Sequence, residues 1–150
     1  MKLTATDLEI LRTLQADCYR SNEAIGESVN KSGSAVSRRI GELQKAKVIT
    51  GLHAAIDPEK VGLKTTVFTL VSLKHHGDGM TANFAAVIDT WPNVVECART
   101  SGSWDFLLKF LVRVTRHHDE LHNKLLAMPE VSRVRGMHVI GAPKVKPVPL

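Results

Sequence analysis

Within SVNKSGSAVSRRIGEL, residues 28–43, serine recurs at 28, 32, 34 and 37, and Lys31, Arg38 and Arg39 bring positive charge. Hydroxyls can hydrogen-bond to base edges or phosphates, and guanidiniums reach guanine or phosphate oxygens. Apolar residues return through the same stretch at helical spacing. At ~100° per residue, Val36, Ile40 and Leu43 share one narrow stripe. Ser34, Arg38, Gly41 and Lys45 fall opposite it, and Ser37 and Arg39 flank it. The outward face is therefore small near its start and basic further on. Two readings fit. One is a recognition helix, slim enough for a major groove about 12 Å wide. The other is the solvated face of a helical hairpin.

Charge is compatible with the first reading and leaves the second open. The chain carries a net +5, which favours a polyanionic partner. Within 31–47, Lys31, Arg38, Arg39, Lys45 and Lys47 stand against Glu42 alone. Other chemistry finds less support. His118 and His122 have a spacing that can hold a metal on a helix. No third ligand is evident, and Leu121 and Leu125 share that face, so both histidines read as packing or interfacial residues. His75 and His76 read as solvated turn residues. Gly77-x-Gly79 is too short for a phosphate-binding loop. Cys18 and Cys97 lie far apart without a neighbouring base, which suggests free thiols in a reducing compartment. No metal or cofactor is expected. No apolar run approaches the ~20 residues of a membrane span, and the first residues lack a secretory-signal pattern. A cytoplasmic location without membrane association is the expectation.

Three short helices position the basic face. The first covers about 4–17, opened by Thr4 and Asp7 at the spacing of a capping box. Ser21 or Asn22 opens the second, and Ser32 caps the third, which runs to about Ala46. Free N–H groups at that third start would attract a phosphate. Tight breaks between three helices are what a helix-turn-helix unit requires. Residues 51–63 read as a small ribbon leading into a linker.

From Lys64 the pattern changes to strand 64–73, helix 81–92, strands 94–101 and 104–114, helix 116–129 and strand 131–141. Pro92 and Pro129 close the two helices, and 143–150 is a proline-interrupted tail. This βαββαβ order predicts a ferredoxin-like domain over 64–142, with one antiparallel sheet and both helices on one face. Strands such as VFTLV and FLLKFLV are apolar on both sides, so sheet-on-sheet self-association into a two-fold dimer is expected. With only 5% aromatic residues, the core must be mostly Leu, Val, Ile and Ala. The fold class is α+β, an N-terminal helix-turn-helix (winged-helix-like) domain over 1–50 and a C-terminal ferredoxin-like domain.

DLEILRTLQ, AIGESVNKSGSAVSRRIGELQKAKVITGLHAAIDPEKVGL, PNVVECARTSGSWDFLLKFLV and LLAMPEVSRV together resemble the Lrp/AsnC family of transcription regulators. The resemblance spans the chain apart from its tail. It implies a regulator that binds double-stranded DNA and a C-terminal domain that assembles dimers, often extended to tetramers or octamers. It also implies a small effector, usually an amino acid. By position, it places DNA contacts at Ser32, Gly33, Ser34, Ser37, Arg38, Arg39 and Lys45. Gly33 stands where relatives often have proline. The effector turn falls at Thr100, Ser101, Gly102, Ser103, Trp104 and Asp105. There a glycine turn exposes N–H groups to a carboxylate, and Asp105 is suited to an α-ammonium group. Ser103 replaces a frequently acidic residue, and Trp104 replaces a smaller aromatic. Siroheme decarboxylases resemble the same two-part architecture and form the enzymatic alternative. They use histidine near the strand that here reads VVECARTSG, which has none.

Overall fold

The computed structural model describes residues 1–75, 77, 79–141 and 148–150. His76 and Asp78 of the expected turn, and residues 142–147 of the tail, lie outside the described residues. The described chain divides into two units, one formed by 1–55 with 148–150, the other by 56–141.

The first unit holds α1 (Ala5–Ala16), α2 (Asn22–Val29) and α3 (Gly33–Lys45). Each begins where a hydroxyl satisfies an N–H that the helix cannot. The Thr4 hydroxyl oxygen accepts from the Asp7 N–H at 3.2 Å, and the Asp7 carboxylate accepts from the Thr4 N–H at 2.7 Å, which completes the capping box. Ser21 caps α2 through the Ala24 N–H at 3.2 Å, and Ser32 caps α3 through the Ala35 N–H at 3.3 Å. Asn30 ends α2 in the left-handed region at φ 53°. The return into α3 runs so close to α2 that a Cβ at Gly26 would collide with the Lys31 carbonyl oxygen. Lys31 N–H instead donates to Gly26 O at 2.9 Å. Glycine is thus a steric requirement of this turn.

Ile10, Ile25 and Val36 form the buried centre, with Leu14, Val29 and Ile40 packed around them. Each full burial of such a side chain stabilises by about 1.5–3 kcal/mol, so a core this small leaves polar ties a real share of the stability. The described end of the tail adds to this unit. Arg12 Nε donates to Leu150 O, and Gln15 Nε2 donates to Val148 O, each at 3.2 Å. Residues 50–57 adopt no regular secondary structure. The expected ribbon therefore does not form within one chain, because an extended segment becomes a ribbon only when another strand takes its N–H and C=O groups.

In the second unit β1 (Thr65–Leu73), α4 (Met80–Asp89), β2 (Val94–Arg99), β3 (Phe106–Val112), α5 (Thr115–Leu126) and β4 (Val131–His138) follow in order. The strands form an antiparallel sheet in the order β2-β3-β1-β4. Alternation along β1 and β3 divides the sheet's two faces. Val67, Thr69 and Val71 meet Phe110, Leu108 and Phe106 on one face. There they are buried with Phe84 and Ile88 of α4 and Leu125 of α5. Phe68, Leu70, Leu107 and Leu111 point to the other face and are half-buried in the single chain. Trp91 follows α4 rather than ending it. Its ring is still buried, and the Lys124 ammonium lies 4.5 Å from its centroid.

Candidate nucleic-acid interface and effector turn

The two arginines of α3 have separate environments. Arg38 is 81% exposed, and its closest acidic neighbour, Glu42, is 3.9 Å away. Arg39 is 29% exposed and turns toward α1. Its Nε donates to Asp7 Oδ1 at 2.6 Å and its Nη2 to Asp7 Oδ2 at 2.8 Å, while Nη1 donates to Glu42 at 2.6 Å. Asp7 is only 1% exposed. A carboxylate at that depth needs a cation, and the two-pronged guanidinium supplies one with matched geometry. The Arg39 hydrogen bonds, with help from the capping bonds of Thr4, hold the Asp7 pKa well below the usual carboxylate range, against the opposing effect of burial. In turn the bonds to Asp7 and Glu42 push the Arg39 pKa further up.

Of the residues expected at DNA, Ser32, Ser34, Ser37, Arg38 and Lys45 are exposed, whereas Gly33 is intermediate. Ser32 has a second task as the α3 cap, and its hydroxyl lies 3.1 Å from that of Ser34. The first turn of α3 also carries a carboxylate, since a Cβ at Gly33 would press on the Glu23 side chain. That charge is favourable beside the helix N-terminus and stands where a phosphate was expected. Arg39 was expected at DNA as well. The structure joins three of its donors to Asp7 and Glu42, which fastens α3 to α1. A partner 32 residues away in sequence gave no signal to periodicity.

The turn between β2 and β3 collects the other expected residues. Gly102 takes φ 104°, a conformation that favours glycine. Thr100 N–H donates to Asp105 O at 2.9 Å, and the Thr100 hydroxyl donates to Trp104 O at 2.6 Å. Among the described residues no hydrogen bond forms from the N–H groups of Ser101, Gly102 or Ser103, and all three residues are exposed. Asp105 Oδ2 accepts from the Leu73 N–H at 2.7 Å and from the Ser72 hydroxyl at 3.4 Å. Its carboxylate, expected to face an ammonium, thus ties the turn to the end of β1. Sequence reading did not find Arg133. From β4 it lies over the Trp104 ring, 4.8 Å from the centroid, and its Nη2 donates to Ser103 O at 3.1 Å. Only the strand pairing that sets Arg133 opposite Ser72 brings it there.

Among the described residues, no group of three His, Cys, Asp or Glu side chains is arranged to hold a metal ion, and no helix is long and apolar enough to cross a membrane.

The AsnC-type helix-turn-helix domain matches residues 3–44, and the Lrp/AsnC ligand binding domain matches residues 66–149. The chain is 32% identical over 133 residues to the DNA-binding transcriptional activator DecR of Escherichia coli (strain K12), covering 88% of each chain. It is 35% identical over 141 residues to the leucine-responsive regulatory protein of Rhizobium meliloti (strain 1021), covering 93% of this chain and 90% of that one. Among solved structures it is similar to an AsnC family transcriptional regulator from Agrobacterium tumefaciens. The TM-score is 0.89 at 29% identity, over 98% of this chain and 97% of that one. It is also similar to a transcriptional regulator of Neisseria meningitidis in complex with L-Met. There the TM-score is 0.87 at 28% identity, over 96% and 94% of the chains.

Proposed function

The chain belongs to the Lrp/AsnC family of DNA-binding transcriptional regulators, and from that premise we propose how it reads DNA and what tunes it. Ser34, Ser37 and Arg38 enter the major groove, Lys45 approaches a phosphate, and Arg39 holds the helix in place. The single observation that carries this reading is the division of labour on α3. One arginine is locked onto a buried aspartate, while its neighbour stands 81% exposed beside two exposed serines. A solvated hairpin face would need no such fastening.

The effector is a small amino acid, held at the turn 100–105. The unengaged N–H groups of Ser101, Gly102 and Ser103 receive its carboxylate, aided by Arg133. Trp104 walls the site, and Asp105 keeps the turn on β1. The complex of the meningococcal relative with L-Met supports this class of ligand. The protein works in the cytoplasm as a homodimer, or a higher assembly built from it. The half-buried apolar face of Phe68, Leu70, Leu107 and Leu111 meets its copy. Regulation without catalysis is the reading favoured over the decarboxylase alternative.

A duplex selected from a random-sequence pool provides the test. Arg38→Ala should weaken binding to it by about ten- to a hundredfold without loss of folding. Affinity should also fall steeply as salt rises. Unchanged affinity in Arg38→Ala would remove this residue from the interface, and salt-independent binding would remove the phosphate contacts.

A further inference from the structure

Three histidines from two elements meet on the helix-covered face of the sheet. His118 of α5 is 2% exposed. Its ring centroid lies 5.9 Å from that of His122, one turn along α5, and 5.3 Å from that of His138 on β4. Phe110 of β3 packs edge-on at 5.5 Å. The strand beneath is shaped to the ring, for a Cβ at Gly136 would come within 3.0 Å of His118 Cε1. His118 Nε2 and the Thr69 hydroxyl share a hydrogen bond at 3.1 Å, while Nδ1 is buried with no partner among the described residues.

That accounting favours the neutral ring. A neutral imidazole has one N–H and one lone pair, so the Thr69 hydroxyl can satisfy Nε2 in either tautomer. An imidazolium has two N–H groups, and the one at Nδ1 would be buried without an acceptor. Its charge would also be poorly matched. The helix-facing residues of β1 and β3 around it, Val67, Thr69, Leu108 and Phe110, carry no charge. From β4 the ionisable neighbour is His138, and from α5 they are His122 and Asp119. Asp119 alone favours the charged ring, and it is itself exposed.

We propose that the seam between α5 and β4 is an acid-sensitive latch: with His118 neutral, α5 lies closed on the sheet, and proton uptake by the histidine group releases it. The latch goes beyond the regulator reading, because it requires neither DNA nor effector. Burial, and then the neighbouring His138 and His122, lower the His118 pKa from its ordinary 6.5, with Asp119 opposing. A group with this sign binds protons more readily when released than when packed. The closed state is therefore fully favoured above about pH 6.5 and loses ground as pH falls below it. Release would wet Leu121 and Leu125, which now cover the sheet.

Amide hydrogen exchange on the full chain tests the latch, with protection expressed relative to the intrinsic rate at each pH. Between pH 7.5 and 5.5 the protection of 115–126 should drop by up to about tenfold. The protection of α1–α3 should hold over the same range. In His118→Gln and His118→Leu the drop should vanish. The latch is refuted by a wild-type chain whose α5 protection is flat, or by variants that keep the full wild-type drop. Should neither variant fold, nuclear magnetic resonance titration of the wild-type rings decides. A His118 ring that titrates at or above 6.5 in the native chain overturns the proposal, and one that stays neutral until α5 exchanges freely upholds it.

Discussion

Asp7 in the N-terminal unit and His118 in the C-terminal unit are both ionisable, both almost wholly buried, and oppositely provided for. Asp7 is buried as a charge, with a guanidinium across two of its oxygens and the Thr4 N–H on a third contact. His118 is buried in a setting that favours the neutral ring, with a hydroxyl on one nitrogen and, among the described residues, no partner on the other. The first arrangement stays intact across the ordinary pH range, and the second has its weak point just below neutrality. A small helical core gains a rigid tie from its ion, whereas a sheet core with many buried aliphatic side chains has stability to place at risk.

The largest effect should come from taking the ion pair apart. Asp7→Ala leaves Arg39 with Glu42 alone and removes a capping box. A cost of about 2–3 kcal/mol to the N-terminal unit is expected, below the usual range for broken buried pairs because Arg39 is partly wet. Chemical denaturation followed through amide exchange of α1 and α3 would measure it. A loss below about 0.5 kcal/mol would mean that the pair is ornamental.

Acid should separate the two units in sequence. The lowered Asp7 pKa means that its contribution is complete above its ordinary 3.8 and disappears as pH falls below that value. The lowered His118 pKa makes its contribution disappear from 6.5 downward. Circular dichroism melts from pH 7.5 to 3 should show the C-terminal unit softening first. If the N-terminal unit softened first, the contrast drawn between the two side chains would be inverted.

A smaller change sharpens the histidine side. Thr69→Val keeps shape but leaves both ring nitrogens unpartnered, for a cost of about 1 kcal/mol confined to the C-terminal unit. Smallest of all should be Arg38→Lys, which keeps charge but loses the planar fork. It should leave the thermal midpoint unchanged and reduce only the preference among duplex sequences, read by competition binding.

Much of the fold was legible because the chain's periods are clean. Val67, Thr69, Val71 and Leu73 alternate with polar or outward residues in the strand period, and Val36, Ile40 and Leu43 recur in the helical one. The element order followed from those periods, and the caps at Thr4, Ser21 and Ser32 followed from local hydrogen bonding. Boundaries moved where a tertiary contact claimed a residue. The third strand begins at Phe106 because Asp105 is drawn to the Leu73 N–H. Likewise, β2 stops at Arg99, since Thr100 turns to bond with Asp105 and Trp104. The site was legible in composition and not in pairing. Arg38 and Arg39 are adjacent and identical, and only the approach of α1 makes one a clamp. His118 and His122 announce a shared helix face, but His138 joins them through the pairing of β4 with Val67, which no local pattern encodes.

The absent side chain at Gly26 has a consequence for how this scaffold can change. The seat of α3 is made by residues turned toward α1 and α2: glycine in the turn, Val36 beneath, and Arg39 across to Asp7. None of the exposed positions 34, 37 and 38 takes part in that seat. Under the proposed reading, the outer surface of the helix can therefore be rewritten, residue by residue, to prefer a new operator while its mounting stays as it is.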